Sequence, residues 1–124
     1  MVSLDHIALI VSSMNSLLFY EKLGFKETNR FERNYDTVVF MECNGIVLEI
    51  FVDSNHPERI SNPEAKGLRH IAFAVENTDT ALNDAQEKGI KLIDKQSRGG
   101  AEGLKIGFLH PKSTLGVLTE LCCK

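Results

Sequence analysis

The sequence predicts an α+β fold made of two copies of one strand–helix–three-strand unit, eight strands in all, and three observations predict it. The stretch HIALIV beginning at His6 recurs without a gap as HIAFAV beginning at His70. Each copy is followed by a short polar segment, a helical pattern, and then a glycine and a lysine, Gly24 with Lys26 and Gly89 with Lys91. Each half ends in an apolar run that holds a carboxylate, VLEIF with Glu49 and GVLTEL with Glu120.

Taken in order, the first strand is expected over Leu4–Val11, where short β-branched and apolar residues run together. Ser13 is placed to cap a helix whose Leu17, Leu18 and Leu23 form an apolar stripe, and Gly24 is placed to stop it. Strands follow at Lys26–Glu32, Thr37–Glu42 and Ile46–Val52. The second unit begins with a strand over Leu68–Val75, then a helix capped by Thr78 with Ala81, Leu82 and Ala85 on one face and Gly89 at its end. Strands at Ile90–Asp94, Leu104–Leu109 and Gly116–Cys122 complete it. A polar linker, about 54–67 and holding Pro57 and Pro63, separates a first module of about 1–53 from a second of about 68–124. It is too short to part independent domains, so 1–124 is expected to be a single domain.

With 124 residues, 43% hydrophobic and 25% charged, the chain has material for one ordinary core. The net charge is -3 and the cations are scattered, so no basic face for nucleic acid or an anionic membrane is expected. No apolar run reaches the roughly 18–20 residues that span a bilayer, and the N-terminus lacks a signal-peptide pattern. Cys43, Cys122 and Cys123 form no C-x-x-C pair and are read as structural thiols. A cytoplasmic protein acting on a small molecule is the expectation.

Side chains alternate across a strand, so His6 shares a face with Ala8 and Ile10, and Ile7, Leu9 and Val11 take the other. The bulkier face suits helix packing. His70 likewise lies with Ala72 and Ala74, opposite Ile71, Phe73 and Val75, and both histidines therefore look over small residues. Glu49 and Glu120 stand inside apolar strands, where an unpaired carboxylate costs several kcal/mol and has to be paired, protonated or bound to a metal. Either histidine alone is commonly a satisfied core residue. The joint pattern carries the argument, because the same residue types fall at equivalent points of both halves and a pseudo-twofold brings all four together. Two imidazoles and two carboxylates suit one borderline divalent ion such as Zn, Ni, Co or Mn, and suit Ca poorly. His56, beside Pro57, and His110, before Pro111, have no such partners and are read as structural or exposed. The run RGGAEG from Arg98 to Gly103 matches no nucleotide-binding fingerprint and is read as a mobile loop.

The paired HIA strands and the two late glutamates resemble the vicinal-oxygen-chelate superfamily of glyoxalase I, bleomycin-resistance proteins and extradiol dioxygenases, over essentially the whole chain. The resemblance implies two βαβββ modules in a cupped, barrel-like eight-stranded mixed sheet around a metal, commonly in a homodimer. His6, Glu49, His70 and Glu120 match the ligand order of glyoxalase I, although Ile10 stands where those enzymes carry an arginine for glutathione. The dioxygenases, with two histidines and one carboxylate, match less well. The run KGIKLIDKQSRGGAEGLKIGFLHPKSTLGVLTEL is similar to the end of methylmalonyl-CoA epimerases, whose further acid–base glutamate aligns near Glu32 and Arg33, with Arg33 in the best register. SNPEAKGLRHIAFAVEN is similar to uncharacterised glyoxalase-like bacterial proteins. The implied chemistry moves a proton at carbon next to a carbonyl or thioester, with Glu120 as first and Glu49 as second choice of base. The substrate is an acyl-CoA, best a methylmalonyl-CoA epimerase-like reaction, or a glutathione adduct. A protein that binds an antibiotic without turnover is the non-enzymatic alternative.

Overall fold

A computed structural model describes residues 2–52 and 67–124, and in it the described chain carries eight strands and two α-helices in an α+β arrangement. In order they are β1 (Ser3–Val11), α1 (Leu17–Lys22), β2 (Lys26–Glu32), β3 (Thr37–Cys43), β4 (Ile46–Val52), β5 (Gly67–Ala74), α2 (Thr78–Glu87), β6 (Arg98–Gly99), β7 (Lys105–Leu109) and β8 (Thr119–Cys123). The chain divides into two compact units, His6–Arg69 and a second made of Met1–Asp5 with His70–Lys124. The expected linker falls almost wholly outside the described residues, as does His56.

In the first unit the strands lie in the order β2-β3-β4-β1. β1 runs parallel to β4, and β3 is antiparallel to both β2 and β4. One face packs Val39, Met41, Leu48, Ile50 and Val52 under Leu17 of α1, with Ile7, Leu9 and Val11 against the same cluster. This is the helix-facing side that the alternation in β1 predicts. α1 itself departs from expectation. Its start is a 3-10 turn over Met14–Ser16, Ser13 makes no side-chain cap bond, and Leu18 and Leu23 are exposed while Leu17 alone is buried. Six residues give less than two turns, so one buried leucine is all the helix can present to the sheet.

The second unit repeats the plan, with order β5-β8-β7-β6, β5 parallel to β8, and β7 antiparallel to its neighbours. Leu82 and Ala85 of α2 pack on Leu109 and Leu121, with Phe73, Val75 and Ala81 alongside. Gly107 permits this approach, because a Cβ there would stand 2.6 Å from Leu82 Cδ1. The N-cap of α2 is Asn77, which accepts from Thr80 N at 2.9 Å, and not Thr78. Thr78 is the first helical residue and donates through Oγ1 to the Lys105 carbonyl at 2.8 Å. Gly24 and Gly89 end their helical stretches at φ +105 and +86, as expected of left-handed stops.

The strand expected over Ile90–Asp94 does not form: Leu92 makes one isolated bridge to Leu109, and Ile93 and Asp94 share the Phe108 carbonyl. The strand lies later, at Arg98–Gly99, inside the run read as a mobile loop. That run is held by pairing with Lys105 and Ile106 and continues into a 3-10 turn over Ala101–Gly103. Gly100 is required there, because a Cβ would meet Ile106 Cγ2 at 2.7 Å. Among the described residues, no helix is long and apolar enough to cross a membrane.

Candidate metal centre

Each unit brings one expected histidine and one expected glutamate together on the face turned away from its helix. In the first, β1 places His6 and β4 places Glu49, and the parallel register sets Ala8 beside Glu49. His6 Nε2 lies 3.3 Å from Glu49 Oε1, and the two residues are 4% and 6% exposed. In the second, β5 places His70 and β8 places Glu120, with Ala72 beside Glu120. His70 Nε2 lies 3.6 Å from Glu120 Oε1, and both residues are 3% exposed. Ala8 and Ala72 are fully buried.

The repeat extends one strand further than the sequence reading reached. Glu49 stands opposite Phe40 on β3, and Glu120 stands opposite Phe108 on β7. Each glutamate is therefore bracketed by an alanine on its parallel neighbour and a phenylalanine on its antiparallel one. The signal was present in VVFME and KIGFLH, but the loops after the two strands differ in length and hide the correspondence. Phe108 also meets His70 edge to face at 5.3 Å between centroids.

The donor geometry can be tested against a divalent ion. Two ligand atoms bound at about 2.1 Å with an angle of 90–110° lie about 3.0–3.4 Å apart. The separation in the first pair falls in that range and the second is slightly wider, whereas both exceed the 2.7–3.2 Å of a good N–H···O bond. Imidazole nitrogen with carboxylate oxygen is a donor set for Zn, Ni, Co or Mn. The residues fit such an ion.

Arginines stand over phenylalanines near both glutamates, a feature absent from the sequence reading. In the first unit Arg33 is stacked 5.3 Å from the Phe51 ring and 4.6 Å from Tyr35, while Arg69 lies 5.7 Å from Phe51. Arg33 binds Asp36 twice, through Nε and Nη2 at 2.6 Å each. Burial works against the Arg33 charge, but the Asp36 carboxylate outweighs it and raises the pKa above its usual value. Glu32 is exposed at the end of β2. A polar cavity of about 480 Å³ lies at this β2–β3 turn, lined by Ser12, Ser13, Arg33, Tyr35, Asp36 and Thr37 among others. None of the four candidate ligands lines it, and its guanidinium is already neutralised by Asp36, so it is not where the chemistry is expected.

The remaining candidates take structural roles. His110 caps the 3-10 turn at Pro111–Ser113 by accepting from Lys112 N at Nδ1, 3.1 Å away. Cys122 is fully buried, and burial, with Asp5 and Glu120 adding to it, pushes its thiol up to about 12. No nucleophilic thiolate arises there at neutral pH.

Residues 3–120 match the model of the Glyoxalase/Bleomycin resistance protein/Dioxygenase superfamily. The chain belongs to that superfamily. It is 33% identical over 126 residues to an uncharacterised protein of Bacillus subtilis, covering 96% of this chain and 90% of that one. It is 28% identical over 130 residues to the mitochondrial methylmalonyl-CoA epimerase of Bos taurus, covering 95% and 72%. Among solved structures, a Streptomyces coelicolor methylmalonyl-CoA epimerase variant in complex with 2-nitronate-propionyl-CoA superposes with a TM-score of 0.79 at 25% identity, over 97% of this chain and 92% of that one.

Proposed function

We propose that the chain is a divalent-metal-dependent enzyme that moves a proton on carbon next to a thioester carbonyl, in the manner of a methylmalonyl-CoA epimerase. One observation carries the reading: two buried His–Glu pairs at equivalent places of a duplicated strand framework, in a superfamily whose epimerase members align with 95% of this chain. His6, Glu49, His70 and Glu120 would hold the ion, a Zn, Ni, Co or Mn, in the cell interior. When bound, the ion supplies positive charge to the carbonyl oxygen on which negative charge develops.

The chain's own residues do the rest. Glu120 takes the proton from carbon, the electrons of the broken C–H bond pass towards the carbonyl, and a carboxyl group returns a proton to the same carbon. Glu49 is the second group available for that exchange. Arg33 occupies the register of the epimerases' further acid–base glutamate and is bound to Asp36, so the proton work is assigned to the two buried glutamates.

The test is incubation of metal-loaded protein with methylmalonyl-CoA in deuterated water. Deuterium is expected at the carbon alpha to the thioester, with a loss of a hundredfold or more in Glu120→Gln. Isomerisation of a methylglyoxal–glutathione hemithioacetal without that exchange would reassign the substrate to the glyoxalase I class. Neither reaction, with retained ligand binding, would leave a small-molecule binding protein.

A further inference from the structure

The second unit carries a cation that the proposed chemistry leaves unused. Across β5, β8, β7 and β6 the face bearing the metal-site pair presents His70, Glu120, Phe108 and Arg98 in turn, one residue per strand. Arg98 is opposite Ile106, whose side chain shares the Phe108 face, and its guanidinium lies 5.4 Å from the Phe108 ring centroid. Arg98 is level with Cys122, two residues along from Glu120, so two strand spacings and that offset put roughly 12 Å between the backbones of Arg98 and Glu120, and the side chain leaning over Phe108 shortens the gap.

The way Arg98 is held leaves its fork available. Asp94 binds it through Nε at 3.2 Å, and Asp94 is itself fixed by accepting from Phe108 N at 2.9 Å through its other oxygen. Among the described residues no hydrogen bond occupies the terminal nitrogens, and the side chain is 51% exposed. The contrast with Arg33 is direct, since Arg33 is likewise stacked over a phenylalanine but gives Nε and Nη2 to Asp36. Arg98 stands on the end strand of the order, and a Cβ built on the neighbouring Gly99 meets nothing within 4 Å. A stacked, pre-oriented guanidinium with free terminal nitrogens is suited to bidentate recognition of an oxyanion.

We infer that Arg98 is a specificity-determining residue that receives an oxyanion of the substrate, either a carboxylate on the acyl group or a phosphate of the thioester carrier. Its choice of substrate rests on the acyl-thioester reading, while its binding of an oxyanion does not. Asp94 is the positioning residue that sets the guanidinium over Phe108.

Metal-supplemented protein, wild type and Arg98→Gln and Arg98→Lys, is titrated calorimetrically with methylmalonyl-CoA, with isobutyryl-CoA, in which a methyl replaces the carboxylate, and with free CoA. Arg98→Gln should weaken methylmalonyl-CoA about tenfold or more, with partial recovery in Arg98→Lys. A loss confined to methylmalonyl-CoA assigns the acyl carboxylate, and an equal loss for all three assigns a carrier phosphate. Changes below about twofold for all three overturn the inference. The Arg98 side chain is half exposed, so melting of Arg98→Gln should shift by less than about 4 °C and leave binding interpretable. If wild type binds none of the three, the acyl-CoA reading has failed and Arg98 is judged separately by NMR with methylmalonate and inorganic phosphate. Saturable shifts at Arg98 Nε–H and the Gly99 amide, lost in Arg98→Gln, support it, and their absence overturns it.

Discussion

Replacing Glu120 by Gln separates what the carboxylate costs the fold from what it gives the site. Glu120 is 3% exposed, and its Oε1 lies 3.6 Å from His70 Nε2, too far for a strong bond. In metal-free protein the amide, of the same shape, should leave stability within about 1 kcal/mol of wild type. With metal the two proteins should part. At free ion a thousandfold above the dissociation constant, binding stabilises wild type by about 4 kcal/mol. A hundredfold loss of affinity in the variant cuts that gain to about 1.4 kcal/mol at the same ion concentration. For 124 residues, about 4 °C per kcal/mol makes the difference in metal-induced melting shift about 10 °C. The assay is thermal and urea unfolding of both proteins in chelator and in Zn, Ni, Co or Mn. A metal-free variant destabilised by more than about 1 kcal/mol would make Glu120 a structural residue, and a fully retained metal shift would remove it from the ligand set.

Gly107→Ala should destabilise by about 1–3 kcal/mol, because the new methyl is driven into Leu82, and the double variant with Leu82→Ala should lose less than the sum of the two single losses, because the clashing atoms are gone; urea midpoints of the four-member cycle decide. Cys122 should resist alkylation in the native state at pH 8 and react only on unfolding, given a thiol held up at about 12 first by burial; rapid native labelling at that position, read by mass spectrometry, would contradict the assigned packing. Asp79 accepts from Ser97 N and Oγ at 2.7 and 2.9 Å, which holds its carboxyl below the usual range. A depressed folded pKa gives a stabilising contribution that is present above the ordinary carboxylate pKa and lost as pH falls through the folded value, so Asp79→Asn should flatten the acid limb of stability against pH.

Much of this architecture was legible because it is written in periods. The alternation around His6 and His70 identified the helix-facing side of β1 and β5, and the two glutamates announced themselves as charges inside apolar strands. β2 and β4 were found with the observed bounds for the same reason. Failures came where tertiary contacts override local propensity. Ile90–Asp94 has strand composition, yet Asp94 is drawn to the Phe108 amide and the ladder is taken up by Arg98 and Gly99 instead. Leu18 and Leu23 looked like a stripe, but α1 is too short to bury them. The stacked arginines were invisible, since Arg33 with Phe51 and Arg98 with Phe108 are neighbours only after the strands pair. No periodicity encodes a register between distant strands.

The alanine–glutamate–phenylalanine arrangement, repeated in both units, separates what the duplication keeps from what it lets differ. The halves are equal at the donors and unequal at the arginines: one guanidinium is sealed by Asp36 and the other is displayed from β6. The shared triplet is set by strand pairing within each unit, whereas the arginines stand outside it and can differ without disturbing that pairing. A repeated module can in this way hold one donor chemistry twice and become asymmetric only at its margins.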